Sequence, residues 1–160
     1  MEIRFNNVVV DCMSLRRATG KLAAGGCCRN ASTLISISGA NGEGHPPKLA
    51  SNTLALKFDR EAATIADVCQ VVNFARGAKR GERVLVHSNK GRHRGPAAAI
   101  VFLAAAGMPW KEAVEKVLEH FSGCDPDNSV LRHGDRLLHT KMARYVARRV
   151  AKRDVYKRKK

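Results

Sequence analysis

An apolar run, Val84-Leu85-Val86, leads through His87 into a short loop of small and basic residues, Ser88-Asn89-Lys90-Gly91-Arg92-His93-Arg94-Gly95. The loop runs directly into Pro96 and an alanine-rich stretch that ends at Gly107. Few folds accommodate that succession. A short unbroken apolar run bounded by such a loop fits a strand buried on both faces, the condition of the interior of a parallel sheet. Pro96 suits the first turn of a helix, where a missing N–H costs nothing, and Gly107 suits its end, which predicts a helix over 97–106. Strand, glycine-containing turn and helix N-terminus, in that order, direct backbone N–H groups and partial positive charge toward one point. Such a point cradles a tetrahedral anion. Arg94 closes the loop with a planar fork able to grip two oxygens of a phosphate.

The rest of the chain alternates between strand and helix signals. Residues 6–10 and 33–37 read as short strands, and a Gly-, Asn- and Pro-rich connector over 39–47 leads to another at 53–58. Thr64-Ile65-Ala66-Asp67 has the spacing of a capping box and opens a helix to about Ala75, with Ile65, Val68, Val72 and Cys69 inward. Trp110, Ala113, Val114, Val117, Leu118 and Phe121 form a helical stripe with Trp110 as core anchor. Leu138, Met142, Tyr145, Val146 and Val150 mark one further amphipathic helix whose other face is rich in arginine. The expected class is α/β: a central, mostly parallel sheet flanked by helices, with a basic C-terminal helix and tail.

In its strand–loop–helix segment the sequence resembles the cysteine-dependent tyrosine and dual-specificity phosphatases, whose signature is His-Cys, five residues, Arg. His87 matches the signature histidine, Gly91 the loop glycine and Arg94 the phosphate-binding arginine, while Ser88 holds the place of the nucleophilic cysteine. The resemblance spans residues 30–121 and implies a tyrosine-phosphatase-like fold over 1–131, followed by a basic segment over 132–160. It implies that His87 points into the core, and that Asp59, 29 residues before Ser88, occupies the general-acid position. It also implies a phosphate-binding loop of Ser88, Asn89, Lys90, Gly91, Arg92, His93 and Arg94. A lone Asp after a strand serves equally as a cap.

Two departures bear on activity. The family's chemistry needs a thiolate made available by a lowered pKa, and a serine hydroxyl does not ionise in such a loop. The residue after the arginine, commonly Ser or Thr in the family, is Gly95. Losing an activated nucleophile costs many orders of magnitude in rate. The expectation is a pseudophosphatase, inactive as an enzyme, whose loop holds a phosphate or a phosphorylated ligand, or only preserves the fold. The alternative is a tyrosine or dual-specificity phosphatase, or an RNA 5′-phosphatase, in which Cys was changed to Ser as a trap. That change explains Ser88 but not Gly95.

The distribution of charge supplies the partner. Twenty-nine Lys and Arg stand against 14 Asp and Glu, a net +15. Twelve of those cations and only two acids fall in residues 132–160, so a mildly basic domain carries a strongly basic end. Such an end binds polyanions through counterion release. Arg144, Arg148, Arg149, Lys152, Arg153, Lys157, Arg158, Lys159 and Lys160 are therefore the expected RNA-binding residues. The expected role is that of a component of a ribonucleoprotein, a ribosome or its assembly intermediate, in contact with rRNA and neighbouring proteins. Aromatic residues are 5% of the chain, too few for an interleaved stacking platform. Five cysteines with no Cys-x-x-Cys, Cys27 and Cys28 among them, fit neither a disulfide framework nor a zinc module, and point to a reducing, intracellular compartment. The basic, acid-free stretch 13–24 leaves a mitochondrial address open beside a cytoplasmic or nuclear one. No metal or cofactor is expected, and no membrane. His45, His120, His133 and His139 are expected in surface or capping roles.

Overall fold

The computed structural model describes residues 3–5, 8–14, 33–39, 52–79, 82–121 and 123–158. Among these residues five strands, β1 (Ile3–Phe5), β2 (Val8–Ser14), β3 (Thr33–Ser38), β4 (Asn52–Lys57) and β5 (Arg83–Ser88), form one sheet in the order β1-β2-β5-β3-β4. Every pairing is parallel except the antiparallel β1–β2 edge. Of the first expected strand, 6–10, residues 8–10 open β2, which runs on to Ser14, and residues 6 and 7 lie outside the described residues. Strand β1, which was not expected, pairs with β2 so that Ile3 faces Val10. Central β5 has all of Val84–Ser88 buried. Its parity splits the side chains, with Val84 and Val86 in the main core and Leu85 outside that cluster but equally buried.

Among the described residues there are five helices: α1 (Ile65–Arg76), between β4 and β5, and after β5 α2 (Arg94–Ala105), α3 (Trp110–His120), α4 (Asn128–Leu138) and α5 (Met142–Arg158). Helix α2 is the centre of the molecule. Its residues Gly95–Leu103 are all buried, and it packs on β2 and β5 with α1, α3 and α4 around it. A helix apolar on every side belongs in such a place. It begins at Arg94, two residues before Pro96, so the proline sits within the first turn, where its missing N–H still goes unneeded.

The capping box of α1 forms as expected: Asp67 N–H donates to Thr64 Oγ1 at 3.2 Å, and Thr64 N–H donates to Asp67 Oδ2 at 2.8 Å. Ile65 differs from expectation. It is 46% exposed because the first residue of the helix projects past the end of the sheet-facing stripe, which starts at Val68.

The C-terminal part also differs. The expected single helix is two, and Leu138 ends α4 instead of starting α5. Asp127, fully buried, caps α4 by accepting from Ser129 N–H at 3.0 Å and Val130 N–H at 3.3 Å. His139, left-handed at φ 53°, closes α4, and the turn ends with Asp135 accepting from Met142 N–H at 2.6 Å and Ala143 N–H at 3.1 Å. One aspartate of α4 thereby caps α5. Met142, Ala143 and Val146 are buried in the main core, so the basic helix is an integral layer of the domain. The expected boundary at 131 falls inside α4.

No described helix is long and apolar enough to cross a membrane. The 40–47 part of the expected connector, Cys27 and Cys28, His45, residues 15–24 of the basic stretch, and Lys159 and Lys160 lie outside the described residues.

Candidate functional site

Because β2, β3, β4 and β5 run parallel, their C-terminal ends share one edge of the sheet, the edge at which open α/β sheets hold ligands. The loop from β5 to α2 lies there. Ser88 ends β5, 2% exposed, and its backbone carbonyl accepts from Gly91 N–H at 3.1 Å. Gly91 takes φ 65°, the left-handed conformation that glycine adopts without penalty, and so closes the turn. The carbonyls of Arg92 and His93 point away from the loop and accept from Asp125 N–H at 2.9 Å and Asp127 N–H at 3.2 Å. Outward carbonyls and a helix N-terminus behind the loop are features that anion-binding loops share.

The side chains divide into two groups. Ser88 Oγ accepts from Gly95 N–H at 3.2 Å, which places the hydroxyl at the mouth of α2. Arg94 donates through Nη1 to Ser38 O at 2.7 Å and to Phe58 O at 2.6 Å. One nitrogen thus ties the end of β3 and the segment after β4 to the start of α2, while Nε and Nη2 carry the remaining donors. His87 is fully buried, as the resemblance implied. Asn89 and Lys90 are exposed on the rim. Arg92 and His93 turn to the α3–α4 connector: Arg92 Nη2 donates to Gly123 O at 3.4 Å, and His93 Nδ1 lies 2.6 Å from Asp125 O. They brace the loop from outside.

Asp59 is exposed and follows Phe58, the residue whose carbonyl accepts from Arg94. The segment after it is tied down. Glu61 N–H donates to Asp127 Oδ2 at 2.8 Å, Ala63 N–H to Ser129 Oγ at 3.2 Å, and Arg60 pairs with Asp125 at 2.8 Å. Sequence reasoning missed these partners because they lie more than 60 residues away, in the connector before α4 and in its first turn, where no periodic signal marks them.

Cys124 sits in that same connector. Burial pushes its thiol up to about 11, against the nearby Arg153, so it stays protonated at neutral pH and is a poor nucleophile. Among the described residues no three His, Cys, Asp or Glu gather as a metal site.

The expected RNA-binding residues are not equivalent. Arg144, Arg148 and Lys152 are exposed. Arg149 is paired with Glu115 at 2.7 Å, and Arg153 is half-buried, 3.7 Å from Asp154. Lys157 and Arg158 fall in the last turn of α5, of which the backbone alone is described.

No protein-family model matches the sequence, and no curated protein matches it. Solved structures do match the fold. The active form of Tk-PTP is similar with a TM-score of 0.63 and 16% identity, over 86% of this chain and 96% of that one. The human tyrosine phosphatase-like serine/threonine/tyrosine-interacting protein gives 0.63 and 19%, over 86% and 94%. Human DUSP28 gives 0.62 and 20%, over 84% and 90%. The chain has the fold of the dual-specificity and tyrosine phosphatases.

Proposed function

We propose that this phosphatase-fold chain binds and does not turn over, and that it serves as an RNA-contacting component of a ribonucleoprotein such as a ribosome or an assembly intermediate. The observation that carries the first half is Ser88. It occupies the end of β5 at the mouth of α2, with its Oγ accepting from Gly95 N–H. A hydroxyl there holds an oxyanion by hydrogen bonding but lacks the acidity to attack phosphorus. The cysteine of the adjoining connector, Cys124, is buried and protonated, so it does not stand in. Arg94, with one nitrogen given to two strand-end carbonyls, supports a loop that maintains the fold whether or not a phosphate enters it.

The second half rests on charge. A net +15 is concentrated toward the end of the chain, and α5 carries cations on an exposed face while its other face is core. Fluorescence anisotropy of a labelled RNA oligonucleotide against salt tests it. Affinity should fall steeply and log-linearly as salt rises. Absent binding, or a flat salt dependence, contradicts the proposal.

A second reading, a phosphatase carrying a substituted nucleophile, is favoured by Asp59 following the residue whose carbonyl accepts from Arg94, and by the outward carbonyls and helix N-terminus of the loop. Steady aryl phosphate turnover by a Ser88→Cys variant supports it.

A further inference from the structure

Beside α5 lies an open groove of about 620 Å³ between the start of α3 and the first half of α5, well apart in its lining from the Ser88–Arg94 loop. Its floor is aromatic: the rings of Trp110 and Tyr145 meet edge to face, 5.6 Å apart. Its walls are cationic. Lys111 stands over the Trp110 ring at 5.5 Å, and Lys141, Arg144 and Arg148, all exposed like Lys111, line it together with His139 and Thr140. Among the described residues no acidic side chain lines it. Glu115 of α3 is occupied by Tyr145 Oη–H and Arg149, each at 2.7 Å. A second groove along α5 shares Thr140, Lys141 and Arg144 with this one, and adds Glu61, Asp125, Asp135 and Asp154 to its lining, so its character is mixed.

We infer that the α3–α5 groove is a nucleotide-sized binding site for single-stranded RNA, in which Lys111, Lys141, Arg144 and Arg148 hold backbone phosphates and one unstacked base rests on Trp110 and Tyr145. The inference rests on the RNA-binding reading above and narrows it to one face of one helix. The volume lies in the range of sites that take a small ligand. Aromatic rings bordered by cations are the combination that binds an unpaired base together with its phosphates. A duplex hides its bases and gains only the charge. Arg149 and Arg153, engaged elsewhere, contribute little, whereas Lys111 and Lys141, not among the residues expected to bind RNA, belong to the site.

Trp110 is the only tryptophan of the chain, so its fluorescence reports on this groove alone. Oligouridine is titrated into the full-length protein while Trp110 emission and the anisotropy of end-labelled RNA are followed together. Both signals should change over the same concentrations. Arg144→Gln with Arg148→Gln should weaken both and lower the salt slope by about 1.4, at about 0.7 per lost phosphate contact on a single strand. Both side chains are exposed, and an unchanged circular dichroism spectrum verifies that the variant folds. If anisotropy rises while Trp110 is silent and the double variant binds like the native chain, the groove is wrong and RNA binding stands. If no RNA binds, both fall. Equal quenching by polyglutamate overturns the assignment in favour of an acidic protein partner.

Discussion

The backbone N–H of Gly95 donates to the Oγ of Ser88 at 3.2 Å, so the side chain at the end of β5 is held by the first turn of α2. A sulfur at the same place would meet the same helix terminus, and its thiolate would be stabilised there. Ser88→Cys should therefore yield a thiol that reacts with a thiol reagent at neutral pH. With an aryl phosphate it should give a burst followed by slow turnover, because Gly95 has no hydroxyl to help the sulfur leave. Stopped-flow release of the phenol checks this. Sustained turnover would show that Ser88 alone separates the chain from catalysis.

Arg94 has a structural duty independent of any ligand. Through Nη1 it joins Ser38 O and Phe58 O, at 2.7 and 2.6 Å. Arg94→Gln leaves at least one of those carbonyls without its charged donor, a loss of about 1–3 kcal/mol. Urea unfolding without phosphate should reveal it. A variant as stable as the native chain would assign Arg94 to ligand binding only.

Gly134 is where α4 lies against α2. A Cβ there would stand 2.7 Å from Val101 Cγ2 and 3.1 Å from Met142 Cε. Gly134→Ala gains about 1 kcal/mol in helix propensity but overpacks the contact by about 1–3 kcal/mol. The net result should be destabilisation. Val101→Ala opens the opposing space, so in that background the glycine substitution should cost less. Additive losses in thermal unfolding would contradict the contact.

Glu115 links α3 to α5 through Tyr145 and Arg149. Burial acts to raise its pKa, but the hydrogen bonds from Arg149 and Tyr145 outweigh it, and the carboxyl is held below its usual value. A lowered folded-state pKa stabilises above the unfolded value, about 4.3, and the contribution fades as pH falls through the folded one. Glu115→Gln should thus lose stability at neutral pH, by under about 1 kcal/mol because Arg149 is half exposed. The gap to the native chain should close in acid. A gap constant with pH would exclude the ionised pair.

Where sequence and structure agree, the signal was local. Strand β5, its loop and α2 are contiguous, and burial, turn and helix start each leave a mark within a few residues. The capping box of α1 is equally local. Helix α4 left no such mark: Asn128–Leu138 contains His133, Gly134 and Asp135 in mid-helix, weak helix formers that read as a connector. Tertiary roles explain two of them, since Gly134 admits Val101 and Asp135 caps α5. The basic run of α5 was plain in the sequence, but its sorting was not. Which arginines remain available depends on Glu115, 34 residues before Arg149, and on the α3 residues that share the groove.

The central claim is that a phosphatase fold here binds without cleaving. Its most direct test is phosphate release by the native chain, from an aryl phosphate and from a 5′-phosphorylated RNA oligonucleotide, beside the Ser88→Ala variant and a protein-free blank. All three rates should coincide at every substrate concentration. Release that saturates with substrate and vanishes in Ser88→Ala would contradict the account.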